Sequence, residues 1–255
     1  LYGMRTTHGR IPLDGMMLQA PSYDTVGWFA RDAGTFELVG KALLRDPPVP
    51  MEPRELIIAD DAFELAEKPV RDTLLPVASS ISELFCESST LRLSTGNLSD
   101  WHEQQLLLQS VEAWNSVKDW IDRVNPRMSY LVARRYVFAS GITDAQVDSA
   151  RAARDEILAR MSEFLGAGRI LCLPTTTMTA RPLFERISTR LSVQEPTYCL
   201  ATIASTIGAP QINLPVVKIG GMPIGISLLG PRGSDELLMA LGRRVESEID
   251  SVEHG

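Results

Sequence analysis

Acyl-transfer chemistry asks a polypeptide for an activated nucleophile, a proton for the leaving group and hydrogen-bond donors aimed at the developing oxyanion. Few side chains of this sequence fit those roles. Gly225-Ile226-Ser227-Leu228-Leu229-Gly230 holds a serine between glycines, but its spacing is not the G-x-S-x-G of a nucleophile elbow, and its apolar neighbours read as strand interior. The only lysines are Lys41, Lys68, Lys118 and Lys218, and none follows a serine by three residues, as an S-x-x-K pair would require. Cys172 sits in Ile170-Leu171-Cys172-Leu173, an apolar setting that raises a thiol's pKa and leaves it inert. His8, beside Thr7, has the type for a general base, yet a lone histidine in a polar turn reads first as a hydrogen-bonded loop residue. His8, His102 and His254 are scattered and no C-x-x-C or H-E-x-x-H occurs, which argues against a metal site. No triad assembles from these residues.

The elements that would position any site are more legible. Residues 1–31 read as an opening loop. Asp32 is placed to cap a helix with Phe36, Val39, Gly40, Leu43 and Leu44 on one face, ended by Pro47-Pro48. Leu56–Ala59 reads as a short buried strand. A helix with Val70, Leu74, Val77, Ile81 and Leu84 on one face follows, with Pro69 in its first turn and Pro76 as an expected kink. After a weak strand at Leu91–Leu93, the sequence predicts a long amphipathic helix over Asp100–Val124, with Asp100 and Glu103 in capping-box relation. Another helix is predicted over Arg127–Ala139. Thr143 and Gln146 form a capping box for a third, stopped by Gly166 and Gly168. The last part predicts a strand Ile170–Leu173, a threonine-rich loop, a helix around Tyr198–Ile207, a hairpin of Gln211–Val217 and Pro223–Leu229 turning at Gly220-Gly221, and a final helix from Asp235 through Leu241. Helices alternate with near-continuous apolar strands, so the fold class is α/β with a covered sheet, in one domain over residues 1–255.

Composition narrows the partners. With 44% apolar and 22% charged residues the chain has material for a sizeable core. A net charge of −7 with no basic run argues against nucleic acid. Apolar runs end well short of the roughly 20 residues of a spanning helix, so no membrane segment is expected. Cys86, Cys172 and Cys199 are odd in number and two lie among apolar neighbours, which suits a cytoplasmic protein.

Several ordered blocks together resemble one family. Gly9-Arg10-Ile11-Pro12-Leu13-Asp14-Gly15, followed by Ser22-Tyr23-Asp24-Thr25-Val26-Gly27-Trp28-Phe29-Ala30-Arg31-Asp32, is similar to the segment after the nucleophile of amidase signature enzymes. Ile170–Thr176 resembles that family's late strand and Pro-Thr turn. Thr202–Pro215 resembles its helix, small-residue turn and strand, and Gly221–Asp235 its closing hairpin. The opening looks most like short amidases related to plant indole-acetamide hydrolases, and like the amidase-like part of a chloroplast outer-envelope receptor.

The resemblance implies a mixed β-sheet flanked by helices, of which this chain is the C-terminal part. It also implies a Ser-cisSer-Lys mechanism whose residues lie upstream of Leu1, so no catalytic residue is assigned here and the chain alone is expected to be inactive. Leu1 is not an initiator methionine, and a truncated or processed start is the more economical expectation. The family's later half lines the acyl pocket. By position the wall would be Thr175, Thr176, Thr177, Met178, Tyr198 and Ala201; the same residues fit a structural role equally, with the threonines closing a turn and Tyr198 filling the core. Ser22 and Asp24 are expected to fix a turn, and Trp28 and Phe29 to lie in the core. The implied activity is amide hydrolysis of a small carboxamide, an aryl- or indole-acetamide among the reasonable substrates, without a cofactor. The alternative is a noncatalytic amidase-like binding domain. Partners would be the amide substrate and the N-terminal segment, with a homodimer left open. Without that segment, strand 212–217 is expected to lose sheet neighbours.

Overall fold

A computed structural model of the protein describes residues 1–166 and 168–253. A seven-stranded mixed sheet runs through it in the order β2-β1-β6-β7-β5-β3-β4. β1 (Tyr2–Arg5), β2 (Gly27–Ala30), β6 (Gln211–Ile219) and β7 (Met222–Leu229) form the antiparallel half, and β7 pairs antiparallel with β5 (Arg169–Pro174). β5, β3 (Glu55–Ala59) and β4 (Glu87–Leu91) run parallel. Side chains alternate between the two faces of each strand. Ile170, Cys172, Ile212, Leu214, Ile226 and Leu228 therefore enter one core, while Leu171, Leu173 and Leu229 enter the other. The first core is closed by α1 (Ala33–Leu43), α3 (Lys68–Ser82) and α8 (Asp235–Glu253), and the second by α4 (Leu98–Val124), α6 (Asp144–Phe164) and α7 (Ile187–Ile207). The short α2 (Asp60–Glu64) follows β3, and α5 (Tyr130–Ser140) packs on α4. Residues 170–173 are buried on both faces, at about 1.5–3 kcal/mol per fully buried aliphatic side chain, which is why this strand reads as a continuous apolar run.

Local chemistry accounts for the helix starts. Asp32 Oδ1 accepts from the Thr35 N–H at 2.7 Å and caps α1, as its position in the sequence predicts. The Thr143–Gln146 box opens α6. α4 starts earlier than expected: the cap is Asn97, whose N–H donates to Asp100 Oδ2 at 3.2 Å, so Asp100 fills the third helical position and Glu103 has no part in the box. α4 ends on Asn125, left-handed at φ 44°.

Other expectations are corrected. The opening is not all loop, since β1 and β2 lie in it; four-residue strands are too short to show a period. The weak strand falls on Glu87–Leu91, and Leu93 lies beyond it, where the Asp61 carboxylate accepts from the Leu93 and Ser94 N–H groups at 3.0 and 2.9 Å. α7 begins at Ile187 and runs through Pro196, and α8 extends to Glu253 rather than stopping at Leu241. Strand β6 is flanked on both sides: β1 pairs with Gln211–Asn213 and β7 with the whole strand. Only from Leu214 onward does β6 lack a partner on the β1 side among the described residues.

Candidate functional site

A cavity of about 680 Å³ opens where the C-terminal end of β5 meets β6, β7 and α7. Its floor is a polar chain on the sheet. Gln211 Nε2 donates to Ser227 Oγ at 2.9 Å, Ser227 Oγ lies 2.9 Å from Thr175 Oγ1, and Thr175 Oγ1 donates to Asn213 Oδ1 at 2.6 Å. A hydroxyl has one proton, so with Thr175 committed to Asn213, Ser227 is the donor to Thr175. Asn213 Nδ2 donates in turn to the Leu1 carbonyl at 2.7 Å. Gly225 makes room for this arrangement: a Cβ there would stand 2.1 Å from Asn213 Oδ1 and 3.1 Å from Thr175 Oγ1.

The walls are largely apolar: Leu1, Phe29, Met178, Leu183, Val193 and Ile224 among them. Phe29, expected in the core, is 76% exposed and stands at the cavity, whereas its neighbour Trp28 is buried and donates to the Phe36 carbonyl at 3.1 Å. Alternation along β2 sends the two rings to opposite faces, a separation that a sequence read as loop conceals.

Four of the six residues marked from sequence, Thr175, Thr176, Met178 and Tyr198, line the cavity together. Thr176 Oγ1 also donates to the Met178 carbonyl at 2.9 Å and closes the turn. Thr177 points away from the cavity. It is buried, 2.8 Å from Thr197 Oγ1, and its carbonyl accepts from Glu67 N–H at 2.8 Å, which ties the loop to α3. Ala201 is exposed on α7 and is absent from the lining. Tyr198 is 40% exposed and does not fill the core; its hydroxyl donates to Gln194 Oε1 at 3.1 Å. Sequence reasoning missed Asn213, Gln194 and Phe29. Alternation along β6 and the i, i+4 spacing of Gln194 and Tyr198 were the available signals.

The arrangement can bind and orient, and its chemistry stops there. The ionisable side chains in the lining are Tyr198 and Arg181, the latter paired with Glu185. The proton of Thr175 ends on an amide oxygen, which is no base. Ser227 is buried in the strand, as its apolar neighbours suggested. Burial pushes the Cys172 thiol far up and that of Cys199 up to about 11, so both are protonated and unreactive at neutral pH. His8 sits with Nε2 2.7 Å from the Pro21 carbonyl, a hydrogen-bonded loop residue. Asp24 Oδ2 accepts from the Gln19 and Ala20 N–H groups at 2.8 and 2.9 Å and fixes the turn expected of it. Among the described residues no cluster of three or more histidine, cysteine or acidic side chains could hold a metal, and no helix is long and apolar enough to cross a membrane.

Known proteins resemble this chain over nearly all of it. "Amidase 1" of Arabidopsis thaliana is 27% identical over 273 residues, covering 94% of this chain and 64% of that protein. "Outer envelope protein 64, chloroplastic" of the same plant is 27% identical over 94% of this chain and 45% of its own length. The chain thus spans between about half and two thirds of these relatives. A crystal structure of an amidase superimposes with a TM-score of 0.83 at 21% identity, over 97% of this chain and 58% of the other, which establishes the fold. The family model described as Amidase matches residues 69–239, a stretch that runs from the first turn of α3 into α8 and takes in β5, the Thr175–Met178 loop, α7 and the β6–β7 hairpin around the cavity. The protein therefore belongs to the Amidase family.

Proposed function

We propose that this chain is the acyl-pocket half of a serine amidase that splits a small carboxamide into carboxylate and ammonia. The observation that carries the reading is the cavity itself: a mostly apolar chamber of about 680 Å³ with one short polar relay on its floor, and no carboxylate, histidine or lysine among its described lining residues. Such a chamber suits the body of an amide while the attacking groups come from elsewhere. In this reading a nucleophilic serine, a bridging serine and a neutral lysine precede Leu1 in the chain, and the described part is inactive alone. The apolar wall and Tyr198 favour an aryl- or indole-acetamide over glutamine, whose charged ammonium would find no carboxylate among the lining residues. The three unpaired thiols fit a reducing compartment, the cytoplasm. No cofactor is needed.

The second reading is a noncatalytic binding domain, favoured by a specific observation: the chloroplast outer-envelope protein is as similar in identity as the plant amidase. One experiment separates them. The coding frame is read upstream of Leu1, the whole frame is expressed, and ammonia release is measured from phenylacetamide, indole-3-acetamide and glutamine. Two serines and a lysine upstream, with release from the aryl amides exceeding that from glutamine, support the enzyme. A frame without those residues, or one that carries them and releases no ammonia from any amide, overturns it in favour of the binding domain.

A further inference from the structure

A second cavity, of about 520 Å³, lies on the far side of Tyr198, between α4, α5 and α7. Tyr198 lines both chambers and is the partition between them. One wall of the second chamber is aromatic and apolar: the His102 and Tyr198 rings stack with centroids 5.8 Å apart and planes at 27°, and Phe138 and Leu106 present exposed apolar surface. The other wall carries Arg134 and Arg135. Neither guanidinium has an ion pair or hydrogen-bond partner among the described residues, whereas Arg10, Arg92, Arg169, Arg181 and Arg243 each hold a carboxylate. Both are exposed, adjacent and on the same wall of the chamber, so both are available to an anion seated in it.

The geometry points to a binding site for a small aromatic monocarboxylate. Its carboxylate takes charge-assisted hydrogen bonds from Arg134 and Arg135, and its ring rests against Phe138 and Tyr198. The volume is that of a small-molecule site. Glu103 on α4 and Glu195 on α7 act on His102 at the chamber's edge, so a single negative charge fits better than a dianion such as phosphate. His102 is the built-in reporter. The Thr202 hydroxyl donates its one proton to the Tyr198 carbonyl at 2.9 Å, so in the 3.1 Å contact between them His102 Nδ1 is the donor. The neutral ring thus carries its proton on Nδ1. An anion seated nearby favours its second protonation.

The inference stands apart from the hydrolytic reading, because its test measures binding alone. In the expressed protein the His102 ring signals are assigned by nuclear magnetic resonance as those lost in His102→Gln, with His8 and His254 as the other histidines of this sequence. Titration with phenylacetate is expected to move those signals to saturation and to raise the pH at which His102 titrates. Inorganic phosphate is expected to do neither, and neutral phenylacetamide, seated in the first cavity against Tyr198, is expected to leave the pH at which His102 titrates unchanged. The exposed double substitution Arg134→Gln with Arg135→Gln is expected to weaken phenylacetate at least about tenfold, while Phe29→Ala, in the first cavity, leaves it unchanged. An equal rise in that pH with the amide, equal effects of phosphate, unchanged affinity in the double variant, or loss of binding in Phe29→Ala would each overturn the assignment.

Discussion

At the residue scale, His102 shows how one position carries both packing and titration. Burial holds its imidazole below the ordinary value of 6.5, against the upward pull of Glu195 and Glu103. The unfolded chain then binds that proton more readily than the folded one, so its contribution to stability is complete above the ordinary value. It is lost as pH falls through that value toward the lower folded one. The denaturant midpoint is expected to decline between about pH 7 and pH 5, and His102→Gln to lose less over the same window. An equal decline in both proteins would refute the account. Arg5 behaves differently. Burial lowers it to about 10, opposed by Asp24, so it stays cationic at neutral pH and donates to the Tyr23 carbonyl at 3.0 Å. Its neighbours in sequence do not disclose that burial, because Arg5 is followed by the polar Thr6, Thr7 and His8.

At the element scale, the junction before β5 depends on one backbone position. Gly168 has φ +80°, and a Cβ there would stand 2.3 Å from the Glu52 carbonyl oxygen and 3.2 Å from Arg54 Cβ. Its own carbonyl accepts from Arg54 N–H at 2.7 Å and Glu55 N–H at 3.2 Å, which sets the start of β3 beside β5. Gly168→Ala forces a side chain into both a left-handed backbone and a fixed carbonyl, and is expected to cost about 1–3 kcal/mol or more. A denaturant melt with an unchanged m-value reads it, and a cost below about 0.5 kcal/mol would contradict the close approach. The sequence marks Gly166 and Gly168 as a helix stop, but α6 ends before both, at Phe164 with Leu165 as its cap; that Gly168 instead seats a parallel strand pair is a long-range fact. The helices that open on side-chain caps were the most legible elements. Helix α7 was the least: the sequence predicts it around Tyr198–Ile207, whereas it starts at Ile187 and keeps Pro196 inside it.

For the whole molecule, the question is whether these elements form a self-sufficient surface. The cavity rim exposes Phe29 and Leu183, the adjoining Phe184 is 99% exposed, and β6 is open on one side beyond Asn213. Apolar surface and unpaired strand edges gathered at one end of a sheet promote association. The chain alone is therefore expected to self-associate. Light scattering after gel filtration checks this, and a monodisperse, cooperatively melting monomer would count against it.

What the sequence determined alone is what local chemistry and period dictate: the α/β class, the caps at Asp32 and Thr143, the buried run Ile170–Leu173, the Gly220-Gly221 hairpin and the inertness of Cys172. Family likeness added the stretch around Thr175. Tertiary structure decided which of those residues meet. It turned Thr177 into the core and left Ala201 outside, brought Asn213 and Phe29 to Thr175, and placed Tyr198 between two chambers. Strand alternation and hairpin register choose the face of each side chain, and strand pairing joins residues far apart in the chain, Gly3 with Asn213 across β1 and β6 and Leu171 with Leu229 across β5 and β7. Neither is encoded within any short window of sequence.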